Sequence, residues 1–259
     1  MNKKSKARLM AILTMLSLVG CKENEVQVEP AESTIIEIIE PETIETTEST
    51  IETEPVETEF VDMNGVYYPS STYSKVNGCA FANEDIKMYS SCNSDRFLVD
   101  YIPKYQTMQL LYMDLYHSFV IYNGKVGYVD NSTLTYLPDD YIEVDISDQK
   151  VKVVDDNETV LYCDVVTGKP GMDTNVGYTE VLSKTYDRPM VGPGYRLDVE
   201  YCIAFNESEE CFHDNRNRSE FGGEIYITNG SHGCVNMKLE DVKVLDEHSE
   251  VGTKVITHK

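Results

Sequence analysis

Alternation of apolar and polar positions dominates the chain from residue 65 onward. Short runs at 86–89, 108–112 and 118–122 are rich in aromatic and aliphatic residues and read as strands. The third run leads into Asn123-Gly124, a strong hairpin signal, and Lys125-Val126-Gly127-Tyr128-Val129 reads as the returning strand. A second series follows at 141–146, 150–154 and 159–166, with a turn at Asp155-Asp156-Asn157. Its β-branched content favours antiparallel pairing. Thr167-Gly168-Lys169-Pro170-Gly171 marks another turn. Helical spacing stands out in one segment, 238–248, where Leu239, Val242, Val244 and Leu245 lie mostly opposite Asp241, Lys243, Asp246 and Glu247. A last strand is expected around 254–257. The stretch 186–201, with Pro189 and Gly192-Pro193-Gly194, reads as a long loop or flap. The pattern predicts two mainly β modules, 65–138 and 139–259, the second with one short helix.

The first 64 residues follow other patterns. Lys3, Lys4, Lys6 and Arg8 precede an apolar run at 9–19, which is too short for a bilayer that needs about 20 residues. This has the form of a secretion signal. It ends Leu18-Val19-Gly20-Cys21, which resembles the lipobox of bacterial lipoproteins. That resemblance implies a signal peptide over 1–21, lipid on Cys21, and an anchor at the extracytoplasmic face of the cell membrane. Residues 22–64 form a Glu-, Thr- and Pro-rich tether; between 22 and 62 stand fourteen acidic residues and one basic residue. Such a segment buries too little apolar surface to offset its ordering entropy and is expected to be a disordered spacer.

Charge narrows the function further. The chain of 259 residues has 22 Lys and Arg against 45 Asp and Glu, a formal charge of -23. No basic face is available for phosphates, so nucleic acid is not an expected partner.

The chemistry concentrates near the C-terminus, in Ser231-His232-Gly233-Cys234-Val235-Asn236. A cysteine attacks as its thiolate, and an ordinary thiol with a pKa of about 8.5 needs a neighbouring imidazole to reach that form at neutral pH. Two histidines, His213 and His232, are near enough in sequence for that role. Gly233 permits close backbone approach, so amide donors can meet a carbonyl oxygen. A metal centre is not expected: His232-Gly233-Cys234 is too tight for both side chains to hold one ion, and no C-x-x-C is present. His117, His248 and His258 have no motif around them.

This pattern resembles the L,D-transpeptidases of the YkuD type, whose signature is a His, a gap, then Ser/Thr-His-Gly-Cys-hydrophobic-Asn. The gap from His213 to Ser231 is 17 residues, and Arg218-Ser219-Glu220-Phe221-Gly222-Gly223 falls within it. Two departures are visible. Thr174-Asn175-Val176-Gly177-Tyr178 lacks the Pro that relatives carry after Thr, and Asn217 precedes Arg218 where relatives often have Trp. The run 118–129 resembles the closing strands of bacterial SH3-like domains. Together these resemblances imply a small SH3-like β-barrel followed by a YkuD-type β-sandwich catalytic domain with one short helix.

The resemblance implies the following roles. Cys234 is the acyl-accepting nucleophile and His213 its imidazole partner, with an exchange of roles between His213 and His232 left open. Asp214 orients the His213 ring through backbone. His232, Gly233 and the Cys234 amide line an oxyanion hole, and Ser231, Asn236 and Arg218 order the site or hold a substrate carboxylate. The implied substrates are peptidoglycan stem peptides, joined 3→3 without any cofactor; carbapenems are implied covalent inhibitors, and the SH3-like module is either a binder of cell-wall polymer or a spacer that packs on the next domain. An L,D-carboxypeptidase and a non-catalytic wall-binding lipoprotein are the alternatives. Bridges Cys79–Cys92 and Cys202–Cys211, with Cys163 single, are expected for an extracellular protein, against five reduced thiols.

Overall fold

The structure, a computed structural model, describes residues 65–70, 72–192 and 195–259. The signal peptide, Cys21 and the acidic tether lie outside the described residues.

Seven strands build the first module: β1 (Ser74–Ala82), β2 (Ile86–Tyr89), β3 (Leu98–Ile102), β4 (Thr107–Met113), β5 (His117–Tyr122), β6 (Lys125–Asp130) and β7 (Leu134–Tyr136). They pair in the order β3-β2-β6-β5-β4-β1-β7. Asn123 and Gly124 take φ of 48° and 71°, the left-handed pair that a tight hairpin between β5 and β6 demands. Inward side chains alternate along these strands and bury Ala80, Met88, Ile102, Met108, Val120 and Val129 in one cluster. The expected closed barrel is not formed by the described strands. The nine-residue β1 takes β4 on one side and the three-residue β7 on the other, so β3 and β7 remain two separate edges.

The second module is a sandwich. One sheet contains β8 (Tyr141–Asp145), β9 (Lys150–Asp155), β10 (Glu158–Asp164), β11 (Gly177–Glu180) and β16 (Lys254–His258), in the order β10-β9-β8-β16-β11. The other contains β12 (Ser183–Gly192), β13 (Tyr195–Ala204), β14 (Cys211–Asp214) and β15 (Val235–Met237), in that order. Ile142, Val144, Val151 and Val153 from the first sheet meet Ile203, Phe205, Phe212, Val235 and Met237 from the second. The helix expected near 238–248 is α2 (Leu239–Glu247), which adds Val242 and Leu245 to this core. Between the two sheets, burying an aliphatic side chain of this size stabilises by about 1.5–3 kcal/mol.

Two expectations change. The stretch 186–201 is not a loop: it belongs to the long β12–β13 hairpin, paired from Ser183↔Ala204 to Gly192↔Tyr195. Pro189 is tolerated because β12 is the edge of its sheet, where a missing N–H breaks no ladder. A second, five-residue helix, α1 (Ile225–Asn229), sits between His213 and Ser231; it is too short to give a readable period.

The two modules meet through Phe81, which packs with Tyr141, Val154 and Ile256. Its ring centroid lies 4.8 Å from that of Tyr178. Buried Glu143 joins both modules by accepting from Thr107 of β4, pairing with Lys152, and meeting His258 Nε2 at 3.0 Å.

Candidate active site

Strand order brings the two halves of the sequence motif together. β14 and β15 run parallel, with Phe212 opposite Val235 and His213 opposite Asn236. Cys234 is therefore placed at the head of β15, beside Cys211. On its other side the 231–236 segment is held by 166–168: Ser231 N–H donates to Thr167 O (2.9 Å), and Asn236 N–H and Val166 N–H each donate to the other's carbonyl (2.9 and 3.0 Å). Gln149, buried, fixes residue 167 by accepting from its N–H at 2.9 Å.

His213 is 3 % exposed. Its Nδ1 is 2.9 Å from the carbonyl of Asp214, as the resemblance implied for a backbone orienter. This leaves Nε2 for Cys234, with which the ring is hydrogen-bonded. Burial by itself lowers the imidazole pKa, but the hydrogen bond and charge of Cys234 raise it above the usual value. The Cys234 thiol moves the opposite way, down to about 4. Its largest cause is a hydrogen bond from the Cys211 thiol; His213 and the Cys211 N–H add to it against the effect of burial. Both shifts favour a thiolate beside an imidazolium. His232, by contrast, is exposed. Of the two histidines, His213 is the one hydrogen-bonded to Cys234.

The remaining residues of the motif divide by task. Ser231 Oγ accepts from Gly233 N–H (3.0 Å) and donates to the Cys234 carbonyl, which closes the loop on itself. The Gly233 amide is thus engaged within the loop and does not face a substrate, contrary to the role expected of it. Gly233 has φ of 122°, and a Cβ there would come within 2.8 Å of Glu210 Oε1. Asn236 is buried; its Oδ1 accepts from Asn215 Nδ2 at 2.7 Å. The Asp214 carboxylate is fully buried and accepts from the N–H groups of Glu200 (2.8 Å) and Tyr201 (2.9 Å), tying β14 to β13. Arg218 donates through Nη2 to Asn229 O at the end of α1 (2.6 Å), while its Nε and Nη1 are buried without a partner.

Cys234, His213, His232, Arg218, Asn215 and Asn236 line one cavity of about 290 Å³, walled by Met190 and Leu197 of the β12–β13 hairpin. A cysteine beside a buried imidazole at the floor of a cavity, with unpartnered guanidinium donors in its wall, suits acyl transfer from a substrate that carries a carboxylate.

The L,D-transpeptidase catalytic domain model (YkuD) matches residues 139–257. The catalytic domain of an Enterococcus faecium L,D-transpeptidase is 33 % identical, over 46 % of this chain and 97 % of that one, with a TM-score of 0.43. The chain belongs to the L,D-transpeptidase family. The same E. faecium domain acylated by ertapenem is 32 % identical over 48 % of this chain and 100 % of that one, with a TM-score of 0.44. An avibactam carbamoyl enzyme, Ldtfm, is 25 % identical over 69 % and 74 % of the two chains, with a TM-score of 0.47. Among curated proteins none matches.

The transpeptidase domain also uses groups that its motif does not announce. Thr174 is buried; its Oγ1 donates to Gly233 O (2.7 Å) and accepts from Gly168 N–H (2.9 Å), locking the catalytic loop to the 168–174 turn. Glu210 lies beneath Gly233, where burial raises its pKa, and accepts from Asn206 Nδ2 at 2.7 Å. Cys211 supplies the leading hydrogen bond to the nucleophile. Thr174 had a signal in the sequence in its place in the run 174–178, and Cys211 in its expected pairing with Cys202, though not in its contact with Cys234; Glu210 acts across strands and had none.

The cysteine pairings expected from sequence are not present as bonds. All six described cysteines are free thiols. Cys79 packs with Phe81 and Tyr141, whereas Cys92 packs with Phe119 and Tyr128 and meets Tyr73 Oη at 3.3 Å. Separate clusters keep that pair apart. Cys202 and Cys211 do meet, with sulfurs 2.8 Å apart, yet unbonded. Cys163 is single, as expected, and burial pushes its thiol up to about 12. Of the histidines without a motif, His258 bonds Glu143 and His248 lies 2.6 Å from Asp155.

Proposed function

We propose that this L,D-transpeptidase cross-links peptidoglycan stem peptides through a thioester on Cys234. The Cys234 thiolate attacks the carbonyl of the third residue of a tetrapeptide stem. The developing oxyanion is met by the Cys234 backbone N–H. On collapse the C–N bond breaks, and the departing D-Ala amine takes its proton from the His213 imidazolium. The side-chain amine of a second stem's diamino acid then attacks the thioester, gives a proton to His213, and expels the Cys234 thiolate, leaving a 3→3 link. Asp214 holds the His213 ring through its carbonyl, and Arg218 receives a stem carboxylate. The observation that carries this reading is the hydrogen-bonded Cys234–His213 pair on the floor of a cavity lined by Arg218.

The outer parts of the chain fit the same setting. The lipobox-like 18–21 supports a lipid anchor on Cys21 at the extracytoplasmic membrane face, and the acidic 22–64 a spacer that lifts the enzyme toward the wall. The β5–β6 hairpin ending in Gly127-Tyr128-Val129 supports an SH3-like reading of 65–138 as a wall-binding module.

Incubation of the enzyme and its Cys234→Ala form with disaccharide-tetrapeptide, read by mass spectrometry, tests the reaction. Dimers lacking one D-Ala, formed only with Cys234 intact, are expected. Tripeptide alone would make water the acceptor and the enzyme a carboxypeptidase.

A further inference from the structure

Two thiols lie beside the nucleophile and carry no acyl group themselves. Cys202 and Cys211 are buried with Val199, and Cys234, Leu197 and Met190 pack against them. Cys211 stands in the middle. It lies diagonally across the β13–β14 ladder from Cys202, since its direct partner is Ala204. Their sulfurs are 2.8 Å apart, and on its other side Cys211 gives both its S–H and its N–H to Cys234. Three sulfurs thus form a chain that begins at the catalytic atom and runs into an apolar interior.

We propose that Cys211 and Cys202 are a resolving pair that takes oxidation away from Cys234 and returns it as a free thiol. The proposal rests on Cys234 being the acyl-accepting nucleophile. The oxidant is a hydroperoxide. The Cys234 thiolate attacks its terminal oxygen, the O–O bond breaks, and the alkoxide leaves as an alcohol with the proton of the His213 imidazolium. Cys234 is then a sulfenic acid. The Cys211 sulfur attacks the Cys234 sulfur; an S–S bond forms, the S–O bond breaks, and hydroxide leaves with the Cys211 proton as water. Cys202 next attacks the Cys211 sulfur while its own proton passes to His213. The Cys202–Cys211 bond forms, and Cys234 departs as thiolate. One hydroperoxide becomes one alcohol and one water, and two thiols become one disulfide.

The direction of the last exchange follows from the leaving groups. Thiol–disulfide exchange expels the sulfur that better tolerates negative charge. Cys202 donates its S–H to Cys211, whereas Cys234, which accepts from Cys211 and faces His213, is held down to about 4 and is the better leaving thiolate. Oxidation therefore comes to rest on Cys202–Cys211. Cys163, raised by burial, and Cys79 and Cys92, in their own clusters, are outside this chain of sulfurs.

The test uses the full chain, reduced with dithiothreitol and desalted, with one equivalent of hydrogen peroxide. Ertapenem acylation is read by intact mass, and cysteine pairing by non-reducing peptide mapping. Wild-type protein is expected to retain acylation within about twofold of its untreated level and to carry a Cys202–Cys211 bond. Cys202→Ser is expected to stop at Cys211–Cys234 and to lose acylation by on the order of tenfold, with recovery in dithiothreitol. Cys211→Ser is expected to lose acylation and give a dimedone adduct on Cys234. Each variant is compared with its own untreated sample, which removes differences in folding. The proposal is overturned if peroxide leaves Cys202 and Cys211 as thiols, or if wild type loses acylation as readily as Cys211→Ser. Failure of ertapenem to acylate the untreated enzyme would instead remove the nucleophile assignment, while the peptide map still reads the relay.

Discussion

Cys211 and Cys234 stand side by side at the heads of two parallel strands, each one residue ahead of the paired Phe212 and Val235. The first donates its thiol hydrogen to the second, and this hydrogen bond is the largest single cause that lowers the Cys234 pKa, with His213 adding to it.

Reactivity should therefore persist into acid. An ordinary thiol is mostly protonated below about pH 8.5; Cys234 is ionised above about 4 and loses its charge as pH falls through that value. Iodoacetamide labelling of Cys234 at pH 5–6 should proceed at close to its pH 7 rate. His213, raised by the thiolate, sets the upper limit, since the imidazolium needed by the leaving amine is lost as pH rises through its pKa. Cys211→Ala should move the acid limb to higher pH; an unchanged limb would remove Cys211 from the activation of Cys234.

His213→Ala removes the proton carrier and one support of the thiolate. Loss of a positioned acid–base group costs about 10²–10⁴-fold in rate. Acylation by ertapenem and dimer formation should both fall by that order, while circular dichroism remains that of the parent. His232→Ala, at an exposed position, should cost much less.

Gly233→Ala places a side chain at φ of 122° and within 2.8 Å of Glu210 Oε1. Backbone strain of this kind costs about 1–3 kcal/mol, and the loop that carries Cys234 must shift. Both stability to urea and acylation rate should drop. Pairing Gly233→Ala with Glu210→Ala should recover part of the steric loss but not the part due to φ.

Thr174→Val keeps shape and removes a hydroxyl. It strands the Gly168 N–H and the Gly233 carbonyl, both otherwise satisfied by Thr174 Oγ1. Each buried group left unpaired costs about 1–3 kcal/mol. Urea unfolding should report this loss, and Thr174→Ser should restore most of it.

Acid stability has a separate origin between the modules. Burial alone raises the Glu143 carboxyl, but bonds from His258, Lys152 and Thr107 bring it down to about 2. A carboxyl held below its unfolded value of about 4.3 stabilises the fold above that pH, and the contribution is lost as pH falls toward 2. Glu143→Gln should flatten the pH 2–5 limb of stability; a limb as steep as the parent's would assign acid unfolding to other groups.

Much of this protein was determined by the sequence alone. Strand alternation, the Asn123-Gly124 turn, the amphipathic 239–247 segment and the Ser231–Asn236 string are local signals, read over a few residues of periodicity, turn chemistry or reactivity. Tertiary structure decided what depends on which remote strands share a ladder. Parallel pairing of β14 with β15 set His213 beside the segment that carries Cys234. The β13–β14 register placed Cys202 against Cys211, and β15 placed Cys234 beside them. Thr174 reaches Gly233 across 59 residues of sequence. Such contacts form because apolar faces on distant segments are buried together, and the polar groups carried along must then find partners where the register puts them.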